Sequence, residues 1–399
     1  MQETGLCAIA DPATTPGACL CEVLDPTQTE TLDGTENANL AQTQISNLVT
    51  TQNSNFDPTQ NFPDSPLRQA YRGQRPDRTP VWFMGQTVTE KPADWGEWPV
   101  EKRVDWKLDP VRAARDAIRP IEEFGVDATP CFPDVLLAVR MAGINWRRGI
   151  GPDGHKILPV RSGLTVERIL DLPEPDWDRV TQTVAHIRAQ MPREAVLIAV
   201  GAAPFVTASI LVEGTDRLRQ NLQTRVFLQS QPRNWERLIR WCEQLMRKFL
   251  RAQVQGGAEV IQLVDPWVRI LTEGEYKAMA EPYARAIFET FPDVTKIYCN
   301  PGADHLLGTI APYVDVLGVG IDLSLVEAAQ MAPEKVLQGN LDPNVFFMGM
   351  DAMRERAQEI LTQGLCAPAH VFNCGDALPP EADPAEVRAL VDYIHNLEL

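Results

Sequence analysis

The chain has 399 residues, 44% of them hydrophobic, and a formal net charge of −17. That length and apolar content suit a large α/β barrel with an appendage, and no run nears the ~18 consecutive apolar residues of a membrane-spanning helix. So acidic a balance argues against a nucleic-acid backbone or an anionic membrane as partner.

Residues 1–66 hold nine acidic residues and no Lys or Arg; the first basic residue is Arg68. Rich in Thr, Gln, Asn and Pro and without periodicity, they read as a disordered or loosely attached acidic arm and a candidate contact for a protein partner. The arm carries half the charge, since −17 + 9 leaves −8 on the rest. It lacks the Arg of an organellar transit peptide and the basic and apolar regions of a secretory signal. Eight scattered cysteines point to a reducing, cytoplasmic setting. Cys19-x-Cys21 with Cys7 is a weak candidate for a redox or metal handle, because it lacks a fourth ligand and the usual two-residue metal spacing. Cys242 and Cys366 read as small buried hydrophobes.

From Leu67 the pattern changes. A helical turn runs to Arg72, and Gly73 to Arg78 breaks it. Eight strand-like runs follow, at 79–86, 126–134, 195–201, 259–265, 296–300, 314–322, 335–342 and 370–376. Between them, 107–124, 176–191, 233–256, 273–291 and 348–364 carry apolar residues at three- and four-residue spacing and read as helices. Apolar strands alternating with helices imply a parallel sheet with a covered outer face, and eight units imply a (β/α)8 TIM barrel over 67–399. A doubly wound open sheet requires a Gly-rich phosphate loop after the first strand, and none is present. Two long insertions, 135–175 and 205–232, are expected on the active face as cleft wall or lid.

Strand ends carry the chemistry. Asp134, Asp265, Asp322, Asp342 and Asp376 all end strand-like runs and are expected to face one mouth. Clustered carboxylates serve as acid, base or cation ligands, although an Asp before a helix is as readily an N-cap. Cys299, Cys374 and Asp376 form a second constellation, with His305 the available fourth ligand for an open Zn²⁺ site. Arg140, Arg147, Arg148 and Arg269 are candidates to meet substrate carboxylates.

The chain resembles the uroporphyrinogen decarboxylase superfamily over 67–399. The likeness rests on the segment Arg72 to Met84, on Gly201 to Pro204 with Val212-Glu213-Gly214, on Gln338-Gly339-Asn340-Leu341-Asp342-Pro343, and on Asn373, Gly375 and Pro379. It implies a barrel, a homodimer and porphyrin biosynthesis by cofactor-independent decarboxylation of a tetrapyrrole. It also implies that Asp134, at the end of the second run, grips pyrrole N–H groups and stabilises a cationic intermediate.

The sequence departs from the family at named positions. The opening motif continues Gly85-Gln86-Thr87-Val88-Thr89, without its two arginines. Ile210 stands at the family's Tyr position, Pro266 at its Ser and Asp376 at its His. Each lost guanidinium removes charge-assisted bonds of ~1.5–3 kcal/mol, so poor binding of uroporphyrinogen itself is expected. Asp134 is the expected catalytic residue, with Gln86, Arg140, Arg147, Arg269 and Asp376 for substrate. A second branch, the corrinoid:thiol methyltransferases, implies Zn²⁺ on a His and two Cys; Cys299 matches one, the His place reads Ile297, and Asp376 holds the closing Cys place with Cys374 two residues earlier. Three readings stand: a decarboxylase-like enzyme on a tetrapyrrole or smaller carboxylate, a catalytically inactive binding or regulatory barrel, and a zinc-dependent methyltransferase.

Overall fold

A computed structural model describes residues 62–87, 91–144, 159–214 and 221–397. The chain divides into a unit Met1–Ser54 and a unit Asn55–Leu399. The expected acidic arm lies outside the described residues up to position 61, and so do Arg147 and Arg148.

Seven parallel strands form one sheet in sequential order: β1 Ala128–Pro130, β2 Val196–Ala202, β3 Val260–Val264, β4 Thr295–Cys299, β5 Val316–Gly318, β6 Val336–Leu341 and β7 His370–Cys374. The helices are α1 Pro66–Tyr71, α2 Val100–Lys107, α3 Pro110–Phe124, α4 Leu137–Met141, α5 Gly163–Leu170, α6 Trp177–Gln190, α7 Pro204–Glu213, α8 Leu222–Ser230 and α9 Pro232–Gln255. They continue as α10 Glu273–Met279, α11 Glu281–Glu289, α12 Leu307–Ile310, α13 Leu325–Met331, α14 Met350–Gly364 and α15 Pro384–Asn396. Local chemistry sets their ends. In α3 the Asp109 side chain accepts the Arg112 N–H, Pro110 occupies the first turn and Gly125 closes the helix at φ 73°. The strands are almost wholly buried because the sheet has helices outside and side chains within.

The expected first strand is the exception. Over 79–86 the only sheet bridge is Val81 to Phe372, because Pro80 has no N–H and the chain turns at Gly85, φ 84°. The segment nevertheless joins the two edges of the sheet. The Trp82 N–H donates to the Phe372 carbonyl at 3.2 Å, and the Phe372 N–H to the Pro80 carbonyl at 2.9 Å. On the other side the Asp127 N–H donates to the Val81 carbonyl at 2.8 Å. Side chains supply what a ladder would have supplied. Asp127 Oδ2 accepts the Val81 N–H at 2.7 Å, Gln86 Oε1 accepts the Phe83 N–H at 2.8 Å, and Asn373 Oδ1 accepts the Met84 N–H at 3.1 Å. The (β/α)8 barrel is thereby closed.

Inside it, Gln338 accepts from Tyr71 Oη at 3.0 Å and Trp82 Nε1 at 3.1 Å, and donates to Gln262 at 3.1 Å. Tyr71 belongs to α1, whose Leu67, Ala70 and Tyr71 are buried. Arg68 on the same helix forks onto Glu259 at 2.7 and 3.0 Å. Cys242 is buried, as expected, but Cys366 is exposed in the turn after α14 and makes no core contact of the expected kind.

Asp127 also takes the Arg78 guanidinium and His395 of α15. Burial opposes its charge, but His395 and Arg78 hold its carboxyl below the usual range. Its contribution to stability is therefore present above about pH 4 and lost as pH falls through the lower, folded value. Asp127→Asn should cost about 1.5–3 kcal/mol at neutral pH and flatten the acid limb of the stability curve. Urea unfolding from pH 3 to 7 measures both, and an unchanged acid limb contradicts this role.

Candidate active site

The loops leaving the strand ends converge on one face, and Asp134 stands where β1 runs out. Its Oδ1 accepts the Leu136 N–H at 3.2 Å, an Asx-type turn that starts α4. Its Oδ2 accepts both Lys107 Nζ at 2.8 Å and Arg140 Nε at 2.9 Å. Lys107 is the last residue of α2, where the helix dipole favours a cation. Burial alone pushes the Asp134 carboxyl up, but the charges of Lys107 and Arg140 outweigh it and hold the carboxyl at about 2. It is an anion at neutral pH.

Asp134 opens on a cleft of about 310 Å³, lined also by Thr87, Lys91, Trp95, Arg103, Lys107 and Arg140. Among the described lining residues four are cationic and one is a carboxylate, in a chain whose total charge is −17. Arg103 is oriented by two N–H bonds to the Trp98 carbonyl, at 2.9 and 2.7 Å. Trp95 lies 4.9 Å from Trp106 between ring centres, and Lys107 Nζ is 5.9 Å from the Trp95 ring. A narrow space of about 30 Å³, room for little more than a water, adjoins the cleft, shares Thr87, Lys107, Pro133 and Asp134 with it, and is walled by Trp106, Ala113, Ala117, Phe132 and Leu137.

Of the residues expected to bind substrate, the structure brings Arg140 to Asp134. Gln86 precedes Thr87 of the cleft but is itself buried, with its Nε2 on the Ala128 carbonyl at 2.7 Å and its Oε1 on the Phe83 N–H. Both polar ends serve barrel closure, so the expected substrate contact is replaced by a structural one. Arg269, in the turn Pro266–Ile270, is exposed and lies over Gly302, so it does not line the Asp134 cleft. Asp376 is exposed, with its Oδ1 on the Ala377 N–H.

The expected common mouth of five carboxylates divides. Asp342 is an N-cap on the Asn344 N–H, and Asp322 is exposed. Asp265 turns the other way. It is fully buried and accepts Tyr298 Oη at 2.8 Å. Tyr298 packs on Phe288 of α11 and on Tyr313, outside the sheet. The cause is register, because Gln262, three residues before Asp265, points into the barrel. Burial pushes the Asp265 carboxyl up to about 8, and Tyr298 and the Val206 amide offset only part of that.

The thiol constellation does not assemble as a metal site. Among the described residues no group of three or more His, Cys, Asp or Glu is arranged to hold an ion. Burial pushes the Cys299 thiol up to about 12, with Asp376 and Asp304 adding to it, and the Cys374 thiol higher still. His305 Nε2 is 2.9 Å from the Leu271 carbonyl.

Lys91, Arg103, Lys107 and Thr87 were not singled out by sequence. A signal existed, since three of the nine Trp fall within residues 95–106, interleaved with basic residues. The missing arginine at Gly85 has a steric account. A Cβ there would meet Ala377 Cβ and the Leu378 carbonyl at 3.1 Å, at a positive φ.

The sequence pattern of the family described as "Uroporphyrinogen decarboxylase (URO-D)" matches residues 62–397. A protein named uroporphyrinogen decarboxylase from Nocardia farcinica is 33% identical over 347 residues, covering 84% of this chain and 96% of its own. Another of that name from Streptomyces coelicolor is 32% identical over 339 residues, covering 84% and 94%. Among solved structures, a methyltransferase from Methanosarcina mazei superposes with TM-score 0.63 at 18% identity, covering 82% of this chain and 96% of its own. At that identity the likeness is one of fold.

Asp265 gives a test with the opposite sign to Asp127. Its folded value, about 8, lies above the unfolded one, so its contribution is full below about pH 4 and is lost as pH rises through the folded value. Asp265→Asn, which keeps an acceptor for Tyr298, should raise the melting temperature at pH 8–9 relative to the parent far more than at pH 5. Equal shifts at both pH values contradict a protonated Asp265.

Proposed function

Because the chain belongs to the uroporphyrinogen decarboxylase family, we propose that it is a cofactor-independent decarboxylase acting at Asp134 on an anionic substrate, a tetrapyrrole or a smaller pyrrole-type carboxylate. The observation that carries this is an ionised Asp134 just past a strand end, in an open cleft whose described lining includes Lys91, Arg103, Lys107 and Arg140. The reaction replaces CO₂ by a proton: R–CH₂–COO⁻ + H⁺ gives R–CH₃ + CO₂. The C–C bond to the carboxylate breaks, its electron pair returns to the protonated ring, and a proton ends on the methylene carbon. The protonated ring is the high-energy species, and a fixed carboxylate beside it stabilises that charge without reorganisation. The surrounding cations bind the substrate's carboxylates and orient them. The barrel acts as a homodimer on this reading, as the resemblance implies.

A second reading is a barrel that binds without chemistry. It is favoured by the occupation of Asp134 Oδ2 by two cations and by apolar residues at Ile210 and Pro266. On that reading the acidic arm is a partner contact, and a co-purifying protein is lost on deletion of residues 1–66.

Anaerobic turnover of uroporphyrinogen, with the carboxylate content of the oxidised product read by chromatography, separates the two. The decarboxylase reading expects measurable turnover and at least a ~10²-fold loss of kcat/KM in Asp134→Asn. Equal rates in the parent and this variant sink it.

A further inference from the structure

Exchange of CO₂ for a proton consumes one proton per turnover, and a group at the site must deliver it. Asp134 does not, because Lys107 and Arg140 hold it as an anion, at about 2. No His, Glu, Tyr or Cys stands among the described residues that line the cleft. The narrow space beside the cleft offers another donor. Its volume, about 30 Å³, exceeds the roughly 10–15 Å³ that one water requires. Helix α3 makes that room. Arg112, Ala113, Asp116 and Ala117 lie one turn apart on the wall, two small side chains beside two polar ones.

Two buried polar atoms on side chains of this wall, Thr87 Oγ1 and Arg112 Nε, have no hydrogen-bond partner among the described residues. Thr87 is 8% exposed. Arg112 is fixed by its guanidinium, 4.2 Å from the centre of the Trp106 ring. Asp116 is buried as well, and Arg115 reaches its Oδ1 only at 3.5 Å, longer than an ordinary N–H···O bond. A buried donor or acceptor without a partner is costly, and a water bridging several of them recovers that cost. An N–H, a hydroxyl and a carboxyl group make up the usual complement of partners for a buried water.

We propose that this space is a built water site, with Arg112 Nε and Thr87 Oγ1 donating to the water oxygen and Asp116 accepting from it, and that this water gives the reacting carbon its proton. The step balances. An O–H bond of the water breaks as the new C–H bond forms, and the electron pair stays on oxygen as hydroxide. The two donated bonds stabilise that hydroxide, and a proton from bulk solvent restores the water through the cleft. Thr87, Arg112 and Asp116 are positioning residues, since they act through the water. The delivery step rests on the decarboxylase reading, whereas occupancy of the site does not.

A crystal structure of the full chain that resolves waters should place one within about 3.2 Å of Thr87 Oγ1, Arg112 Nε and an Asp116 oxygen. Ala117→Val fills the space without removing a polar group, and its structure should lack this water. In anaerobic turnover of uroporphyrinogen, Ala117→Val and Thr87→Val should each lower kcat by ~10-fold or more and leave KM within about twofold. Thr87→Ser keeps the hydroxyl and should return kcat to within about twofold of the parent. The solvent deuterium effect on kcat should grow in Thr87→Val, because proton delivery then limits the rate; a merely structural role would not move it. Thermal melts confirm that each variant is folded. The inference is overturned if the parent structure shows no water between these three groups, or if Ala117→Val and Thr87→Val turn over at the parent rate. Water in the site without turnover of any porphyrinogen supports the site and removes the decarboxylase reading, with the delivery step that rests on it. Turnover that needs Asp134 but is indifferent to Thr87 and Ala117 removes this inference alone.

Discussion

The carboxylate of Asp127 holds shut a barrel that its own backbone leaves nearly open. The segment 80–86 lies between β7 and β1 but pairs by a single bridge. A barrel with one unpaired position exposes strand edges, and edges must be covered or bonded. Here side chains do it: Asp127 just before β1, Gln86 on the carbonyl of Ala128, the first residue of β1, and Asn373 from β7. The same carboxylate gathers Arg78 and the C-terminal helix through His395. Asp134 sits six residues beyond the start of β1, so the clamp that closes the barrel also fixes the strand that delivers the site.

The mouth above is electrostatically two-sided. Lys91, Arg103, Lys107 and Arg140 surround Asp134 beside β1. Asp304, Asp342 and Asp376 act on Cys299 and Cys374 at the ends of β4 and β7. The negative side raises the thiols and disfavours free thiolate. The positive side suits anionic substrates and supplies from α2 and α4 the charge that the opening motif lacks at Gly85. That arginine is absent because the closing segment Ala377-Leu378 packs onto the Gly85 backbone.

Much of the fold is legible in the sequence. Seven strand-like runs correspond to the seven strands, and the helices at 176–191, 233–256 and 348–364 match α6, α9 and α14 within a few residues. Period and length carry that information because buried parallel strands are continuous apolar runs. The run at 79–86 has the same look, but its Pro80 and Gly85 break the ladder. Asp265 illustrates a harder limit. It resembles Asp134 in ending a buried run, yet a single step of register sends it to the helix layer, where it becomes a protonated partner of Tyr298.

The α/β alternation, the family motifs and Asp134 as the strand-end carboxylate that the family resemblance singles out can all be read from the order of residues. These are properties of runs and short words, which need no knowledge of distant neighbours. Which charges meet depends on how the chain folds. Lys107 precedes Asp134 by a helix and a strand, Arg140 follows it on a separate turn, and both end within 3 Å of one oxygen. Coulomb energy depends on distance in space and on burial, and neither is written in the order of residues.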